Sequence, residues 1–330
     1  MIVSYRLAQA HATKLRQMIN RRKFLTTSAA FGASLGIFPK LGSSLGSSAA
    51  VLDTVITILH TNDTHSQIDP LPANDQYAGK GGVARRATLV KQIRKENPNT
   101  LLIDAGDAFQ GTPYFNFYKG EVEYKSMSAI GYDAGTLGNH EFDNGVDALA
   151  AAMKFATFDL VSSNYDVKGT ALEGLVKQYV VKTVGGIRVG LFGLGISPVG
   201  LITPTSFKGV TYNDPIETSK QMVKTLRETE RCSLIIAMSH LGFYRNPKPG
   251  QVGDIQVASQ VDGIDFIAGG HTHTFLEQPE RVTQPCGKET LIFQVGRSGI
   301  NVGRVDFTFR SGKLIGAVGG IVNGKSFDTL

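Results

Sequence analysis

Gly138-Asn139-His140-Glu141-Phe142-Asp143 follows a short apolar run, residues 134–137, and places an amide, an imidazole and two carboxylates within six positions. A strand that ends in glycine and then offers Asn-His is a poor core element, because buried polar groups without partners are costly. It is well suited to bring a neutral oxygen ligand and a proton carrier to one point. Working outward, the same punctuation recurs. The β-branched run 55–59 stops at His60-Thr-Asn-Asp-Thr-His65, and 101–104 stops at Ala105-Gly106-Asp107. Runs 159–163 and 187–196 end at Asn164 and at Ser197-Pro198. Runs 234–238 and 266–268 end at Ser239-His240 and at Gly269-Gly270-His271. Residues 291–295 and 304–309 close the series. Helical character falls at 88–95 and at 215–231. Strands alternating with helical segments predict an α/β class with a largely buried sheet. Ligands in such sheets bind at the carboxyl ends of the strands.

Collected, those ends hold Asp63-x-His65, Gly106-Asp107, Gly138-Asn139-His140, His240 and Gly270-His271-x-His273, which account for five of the 7 histidines. Singly each is ordinary turn or cap chemistry. Together they form a set that a bare protein does not bury: Asp63 and Asp107 would repel, and the imidazoles would lack partners. Two divalent cations resolve both problems. Mixed oxygen and nitrogen donors without thiolate suit Zn, Mn, Fe or Co and fit a calcium cage poorly. Two metals bring about +4 against about −2 from the two carboxylates, leaving a field that attracts phosphate. A metal pair can also hold a hydroxide and clamp both the attacking and the leaving oxygen. The residues therefore point to metal-assisted hydrolysis of a phosphoester, by metal-hydroxide attack on phosphorus.

Length, 330 residues with 42% hydrophobic, permits a large core and about two domains. No internal repeat or linker interrupts 51–330, so one domain is expected there. The net charge of +6 belongs to the leader: seven basic residues precede the first acidic one, Asp53. Without them, 27 basic residues face 28 acidic ones, a net of −1. No basic surface for a nucleic-acid polymer is implied. Asn20-Arg21-Arg22-Lys23-Phe24-Leu25 precedes a short apolar run diluted by Thr, Ser and Gly, and Ser48-Ala49-Ala50 offers small residues for cleavage. Residues 1–50 thus resemble a twin-arginine (Tat) signal peptide followed by a flexible linker, with a periplasmic or secreted destination and no permanent membrane span. Cys232 and Cys286 form no CxxC pair, so neither is part of a thiolate zinc motif. They would bridge only if the fold brought them into range.

The five motifs resemble the signature of the calcineurin-like metallophosphoesterases. The wording of His60-Thr-Asn-Asp-Thr-His-Ser66, Gly106-Asp-Ala-Phe-Gln-Gly-Thr112, Gly131-Tyr-Asp133, Gly138-Asn-His-Glu-Phe-Asp143 and Ser239-His-Leu-Gly242 is similar to the 5′-nucleotidase family within it. The resemblance runs from about residue 53 to about 310. It implies a four-layer αββα sandwich over residues 51–330. One metal would be held by Asp63, His65, Asp107 and His273. The other would be held by Asp107, Asn139, His240 and His271, with Asp107 shared. Some members carry Gln where His273 stands, so the metal preference here would differ. His140 would meet the substrate beside Asn139 and act in the transition state or on the leaving oxygen, aimed by Asp143. Arg85 and Asn164 match supporting positions, and Glu141 either braces its neighbours or caps a turn.

Full-length members of that family continue into a second domain that binds the base. Specificity for a nucleotide is not carried by the residues of this chain. Three readings follow: a separately encoded C-terminal substrate-binding domain assembles with it, it is a free-standing phosphoesterase of broader taste, or it is a metal-binding remnant. The substrate class implied is a 5′-monophosphate or 2′,3′-cyclic nucleotide. Two alternatives are a thiosulfohydrolase of sulfur oxidation and a non-catalytic metal-binding module. The second would predict a lost catalytic group, yet His140, Asp143 and all seven ligand residues are present.

Overall fold

A computed structural model describes residues 53–322; the expected leader lies outside them. The first sheet has seven strands: β1 (Thr54–Thr61), β2 (Thr100–Asp104), β3 (Ala134–Thr136), β4 (Asp159–Val161), β6 (Val176–Lys177), β14 (Val302–Arg310) and β15 (Lys313–Val322). Their order is β15-β14-β1-β2-β3-β4-β6. From β1 to β6 neighbours run parallel, while β14 and β15 add an antiparallel edge. The second sheet comprises β7 (Tyr179–Val184), β8 (Ile187–Gly195), β10 (Leu234–His240), β11 (Phe266–Gly269), β12 (Glu280–Thr283) and β13 (Glu289–Phe293). Here the order is β12-β13-β11-β10-β8-β7. β8, β10, β11 and β13 are parallel, with antiparallel strands at both edges. A two-stranded ribbon joins β5 (Tyr165–Asp166) to β9 (Thr211–Tyr212).

Six helices complete the described residues: α1 (Val83–Glu96), α2 (Pro113–Tyr118), α3 (Glu121–Ile130), α4 (Val146–Met153), α5 (Pro215–Lys224) and α6 (Asp254–Gln260). Asp214 caps α5 by accepting from the N–H groups of Ile216 and Glu217, with Pro215 at its first position. The helix expected over 215–231 is α-helical only to Lys224 and passes into a π-helical turn, Thr225–Thr229.

Three apolar clusters order these elements. One joins α1, α3 and α4 to the first sheet through Leu89, Ile93, Tyr124, Met127, Leu149, Leu59 and Leu102. A second lies between the sheets, with Ile56, Ile58, Ile103 and Phe307 from one and Leu191, Ile236, Phe266 and Phe293 from the other. The third sits under α5 and α6, with Met222, Leu226 and Val257 against Ile235 and Ile267. Each large sheet is thus buried on two faces, which is why β2 and β10 read as unbroken apolar runs. The sheets approach closely at Gly193, where a β-carbon would collide with the Val161 carbonyl and the Thr136 hydroxyl. Cys232 is buried and Cys286 exposed, and both are free thiols. Among the described residues no helix is long and apolar enough to cross a membrane.

One histidine of β1 belongs to this core rather than to the strand ends. His60 is fully buried, its ring edge-on to Phe266 and Phe293, and neither ring nitrogen has a hydrogen-bond partner. Burial lowers its pKa from 6.5 to about 3. The folded state keeps it neutral while the unfolded chain takes up a proton below pH 6.5, so its contribution is intact above that value and is lost as pH falls toward 3. His60→Leu is expected to flatten the acid limb of the stability curve by up to about 1.4 kcal/mol per pH unit in that window. Denaturant melts of both proteins from about pH 7 to about pH 4 check this; parallel curves would refute it.

Candidate metal centre

Every expected ligand lies at the carboxyl end of a strand. Asp63 and His65 follow β1, Asp107 follows β2, Asn139 follows β3, His240 ends β10, and His271 and His273 follow β11. Five of them take left-handed backbone: Asp63 (φ 49°), His65 (45°), Asp107 (54°), His271 (75°) and His273 (52°). Such geometry costs an L-residue roughly 1–2 kcal/mol. It persists because the turns are over-determined by hydrogen bonds, and it aims each side chain inward.

The structure sorts the side chains into two groups. Asp63, His65 and His273 form one, and Asp107, His240 and His271 form the other. In the first, the Nε2 atoms of His65 and His273 are 2.9 Å apart, and His273 Nε2 lies 3.3 Å from Asp63 Oδ1. In the second, His240 Nε2 lies 3.0 Å from Asp107 Oδ2. Asn139 Oδ1 is 3.0 Å from His271 Nδ1 and so joins the second group. His240 donates through Nδ1 to the Ala105 carbonyl at 2.8 Å, and His65 through Nδ1 to the Phe109 carbonyl at 3.2 Å. Those bonds leave Nε2 of both rings as the free donor atom, as a metal ligand requires.

The residues fit divalent cations. His240 Nε2 is fully buried and faces the Asp107 carboxylate without a well-aligned hydrogen bond. The Nε2 atoms of His65 and His273, facing at 2.9 Å, converge on one point as two nitrogen ligands of a single cation would. Burial alone would raise the Asp107 carboxyl, but His240, with His65 and His140 beyond it, holds it well below the carboxylate range. Burial and His240 lower His271 to about 4, keeping a neutral ligand. Burial disfavours charge on His240 too, yet Asp107 and Asp63 outweigh it and raise the ring to about 10. A proton there occupies the place that a cation would take, so metal uptake displaces it.

His140 stands at the open side. Its Nδ1 is 2.9 Å from Asp143 Oδ2, and its ring lies 5.5 Å from that of His65. The side chains of His140, Asp143 and His273 are 32%, 35% and 38% exposed, whereas that of His240 is 0%, so approach is from the His140–His273 side. The hydrogen bond that His140 donates to Asp143 raises the pKa of His140 above 6.5.

Glu141 resolves as a brace. Its buried carboxylate accepts from the N–H groups of Gly138 (2.6 Å), Asp107 (3.0 Å) and Ala108 (2.8 Å), and so fixes the Asp107 turn. Burial pushes this carboxyl up to about 7, against those N–H donors. Gly138 must be glycine because a β-carbon would meet the Asp107 carboxylate and amide. Glu141→Gln turns one acceptor into a donor facing N–H groups. A loss of about 2 kcal/mol in stability and weaker metal retention are expected; chemical melts and metal analysis test it, and an unchanged pair of values would rule it out.

The two expected supporting positions are Arg85 and Asn164. Arg85 is exposed on α1, because Arg86, Leu89, Val90 and Ile93 form its inward face. The buried arginine is Arg86, 5.9 Å from the Tyr132 ring. Asn164 is fully buried and spends its amide on both polar groups of Gly195, at 2.8 Å each, tying the end of β4 to that of β8. Sequence reasoning passed over Asn62 and Gln294, buried amides that hold ligand turns. The only signal for Gln294 is a lone polar residue inside the run 291–295.

The family model for calcineurin-like phosphoesterases matches residues 56–275. The bovine protein named 5′-nucleotidase is 39% identical over 248 residues, covering 72% of this chain and 42% of its own. Protein UshA of Yersinia enterocolitica is 35% identical over 280 residues, 78% of this chain and 50% of its own. The chain therefore spans half or less of the length of these curated relatives. The crystal structure of a 5′-nucleotidase precursor from Thermus thermophilus superposes with a TM-score of 0.74 at 35% identity, over 82% of this chain and 54% of that one. With strand-end ligands in two clusters and a family match over most of the described residues, the chain belongs to the calcineurin-like phosphoesterases.

Proposed function

We propose that this chain is the catalytic part of an exported two-metal phosphoesterase acting on nucleotides. The observation that carries the reading is the half-exposed His140–Asp143 pair standing beside two clusters of mixed nitrogen and oxygen donors. Asp63, His65 and His273 would hold one divalent ion, and Asn139, His240 and His271 the other, with Asp107 between them. When bound, the ions supply Lewis-acid polarisation of the phosphoryl group and activation of water. The residues do the rest. Asn139 and the backbone of His140 fix the floor of the site, the latter by donating to Asp107 Oδ1 at 2.9 Å. Asp143 keeps the imidazole of His140 aimed and favours its protonated form. That proton passes to the leaving oxygen as the P–O bond breaks.

Nucleotides are favoured because relatives such as the bovine and rat proteins carry the name 5′-nucleotidase. Those relatives have about as much chain again, and we assign base recognition to such a part. Export to the periplasm or beyond is supported by Arg21-Arg22 ahead of the apolar run. The test is hydrolysis by the protein loaded with Mn, Zn, Fe or Co. Substrates are a 5′-mononucleotide, a 2′,3′-cyclic nucleotide, an aryl phosphate and a thiosulfonate conjugate. Turnover of the phosphoesters is expected, with little preference for the base. No phosphoester turnover with any of the metals would end this reading, and activity on the thiosulfonate alone would select the sulfur chemistry instead.

A further inference from the structure

Gln294-Val295-Gly296-Arg297-Ser298 leaves the carboxyl end of β13 and holds no ligand, yet it is bonded to both turns that build the first cluster. Toward the Asp63 turn, the Ser298 N–H donates to the Asp63 carbonyl at 2.7 Å. The Val295 N–H donates to Asn62 Oδ1 at 3.0 Å, and Asn62 Nδ2 donates to the Gly296 carbonyl at 2.6 Å. Asn62 Nδ2 is also 2.6 Å from Asp63 Oδ2. Toward the histidine turn, the Gly296 N–H donates to the Thr274 carbonyl at 3.0 Å. Gln294 then grips that turn from both sides. Its Nε2 donates to the Gly270 carbonyl at 2.6 Å, and its Oε1 accepts from the Thr274 N–H at 2.5 Å and from the Thr272 hydroxyl at 2.8 Å.

His271 and His273 lie between those anchor points, and they serve different clusters. Both have left-handed backbone, so the turn needs support from outside itself. Gln294 is fully buried, and its hydrogen bonds go to neither imidazole. An amide offers a donor to Gly270 and an acceptor to Thr274 from one planar head without a change of protonation. We infer that Gln294 is a positioning residue that sets the spacing of the two cation sites, by fixing the backbone before His271 and after His273 at once. The inference rests on the two-metal reading above.

Its signature is that one substitution at a non-ligand weakens both sites together, whereas loss of one ligand falls chiefly on one. Gln294→Met keeps the volume and removes all three bonds. Full-length protein, stripped of metal, would be titrated with Co2+ against a chelating dye while the visible absorption of bound Co2+ is followed. Wild type is expected to take up two ions. Gln294→Met should weaken both by about 10–100-fold and alter the Co2+ spectrum, while His273→Ala should weaken one. A folded Gln294→Met protein that binds both ions within about threefold of wild type overturns the role. If that variant fails to fold, Gln294→Glu answers the question. It keeps the two accepting bonds, and at a pH where its buried carboxyl is ionised it sets a carboxylate oxygen against the Gly270 carbonyl, so binding weaker by about tenfold or more at both sites is expected under that condition. Wild-type affinity in Gln294→Glu overturns the role equally. A wild type that takes up no Co2+ sinks the two-metal reading itself, and this inference with it.

Discussion

Asp107→Asn is expected to strip the protein of metal and to cut its turnover by about 10³-fold or more, equivalent to about 4 kcal/mol of barrier. Three features of Asp107 make it the most sensitive position. It is 2% exposed, so no solvent replaces a lost charge. Its Oδ2 faces His240 Nε2 at 3.0 Å while its Oδ1 accepts from the N–H of His140 at 2.9 Å, so the carboxylate joins a ligand cluster to the turn that carries His140. The neighbouring imidazoles hold it ionised. An amide of the same shape supplies neither the charge nor two acceptors. Metal analysis after dialysis, alongside the rate on an aryl phosphate, decides it. Two retained ions with a rate within about tenfold of wild type would remove Asp107 from its shared place.

His140→Asn should separate binding from chemistry. The His140 side chain belongs to neither ligand cluster, and its hydrogen bond is to Asp143. Both ions should therefore remain while turnover falls by about 10²–10⁴-fold, the usual worth of a positioned proton donor. The loss should be smaller on substrates whose leaving group needs no proton, such as a nitrophenolate. A rate within about threefold of wild type, under about 0.7 kcal/mol of barrier, would show that His140 has some other role.

The parts of the fold legible in the sequence are those where one local pattern carries the information. β1, β2, β10 and β11 are apolar runs that stop at polar residues or glycine, because both faces of each sheet are buried and the ligand turns gather at the carboxyl ends. β15 escapes such a reading because a glycine-rich edge strand, exposed along its first half, carries neither alternation nor an apolar run. Helices α3 and α4 escape it too, although their inward faces carry Tyr124, Met127, Leu149 and Met153. At the site, the ligand types follow from the strand ends, but their division into two clusters depends on how the sheets face each other. The role of Asn164 is hidden for the same reason, since its partner Gly195 is on the other sheet. Arg85 and Arg86 differ by one step of helical phase, which a motif match does not weigh and burial does.

Each cluster draws donors from both sheets: Asp63 and His65 with His273, and Asp107 with His240 and His271. The centre is therefore a gauge of how the two sheets are aligned. The apolar layer between them, with Phe307 and Ile58 on one side and Leu191 and Phe293 on the other, is its bearing surface. A small slip in that layer would pull the donors of each cluster apart. Affinity for metal should thus report damage deep between the sheets.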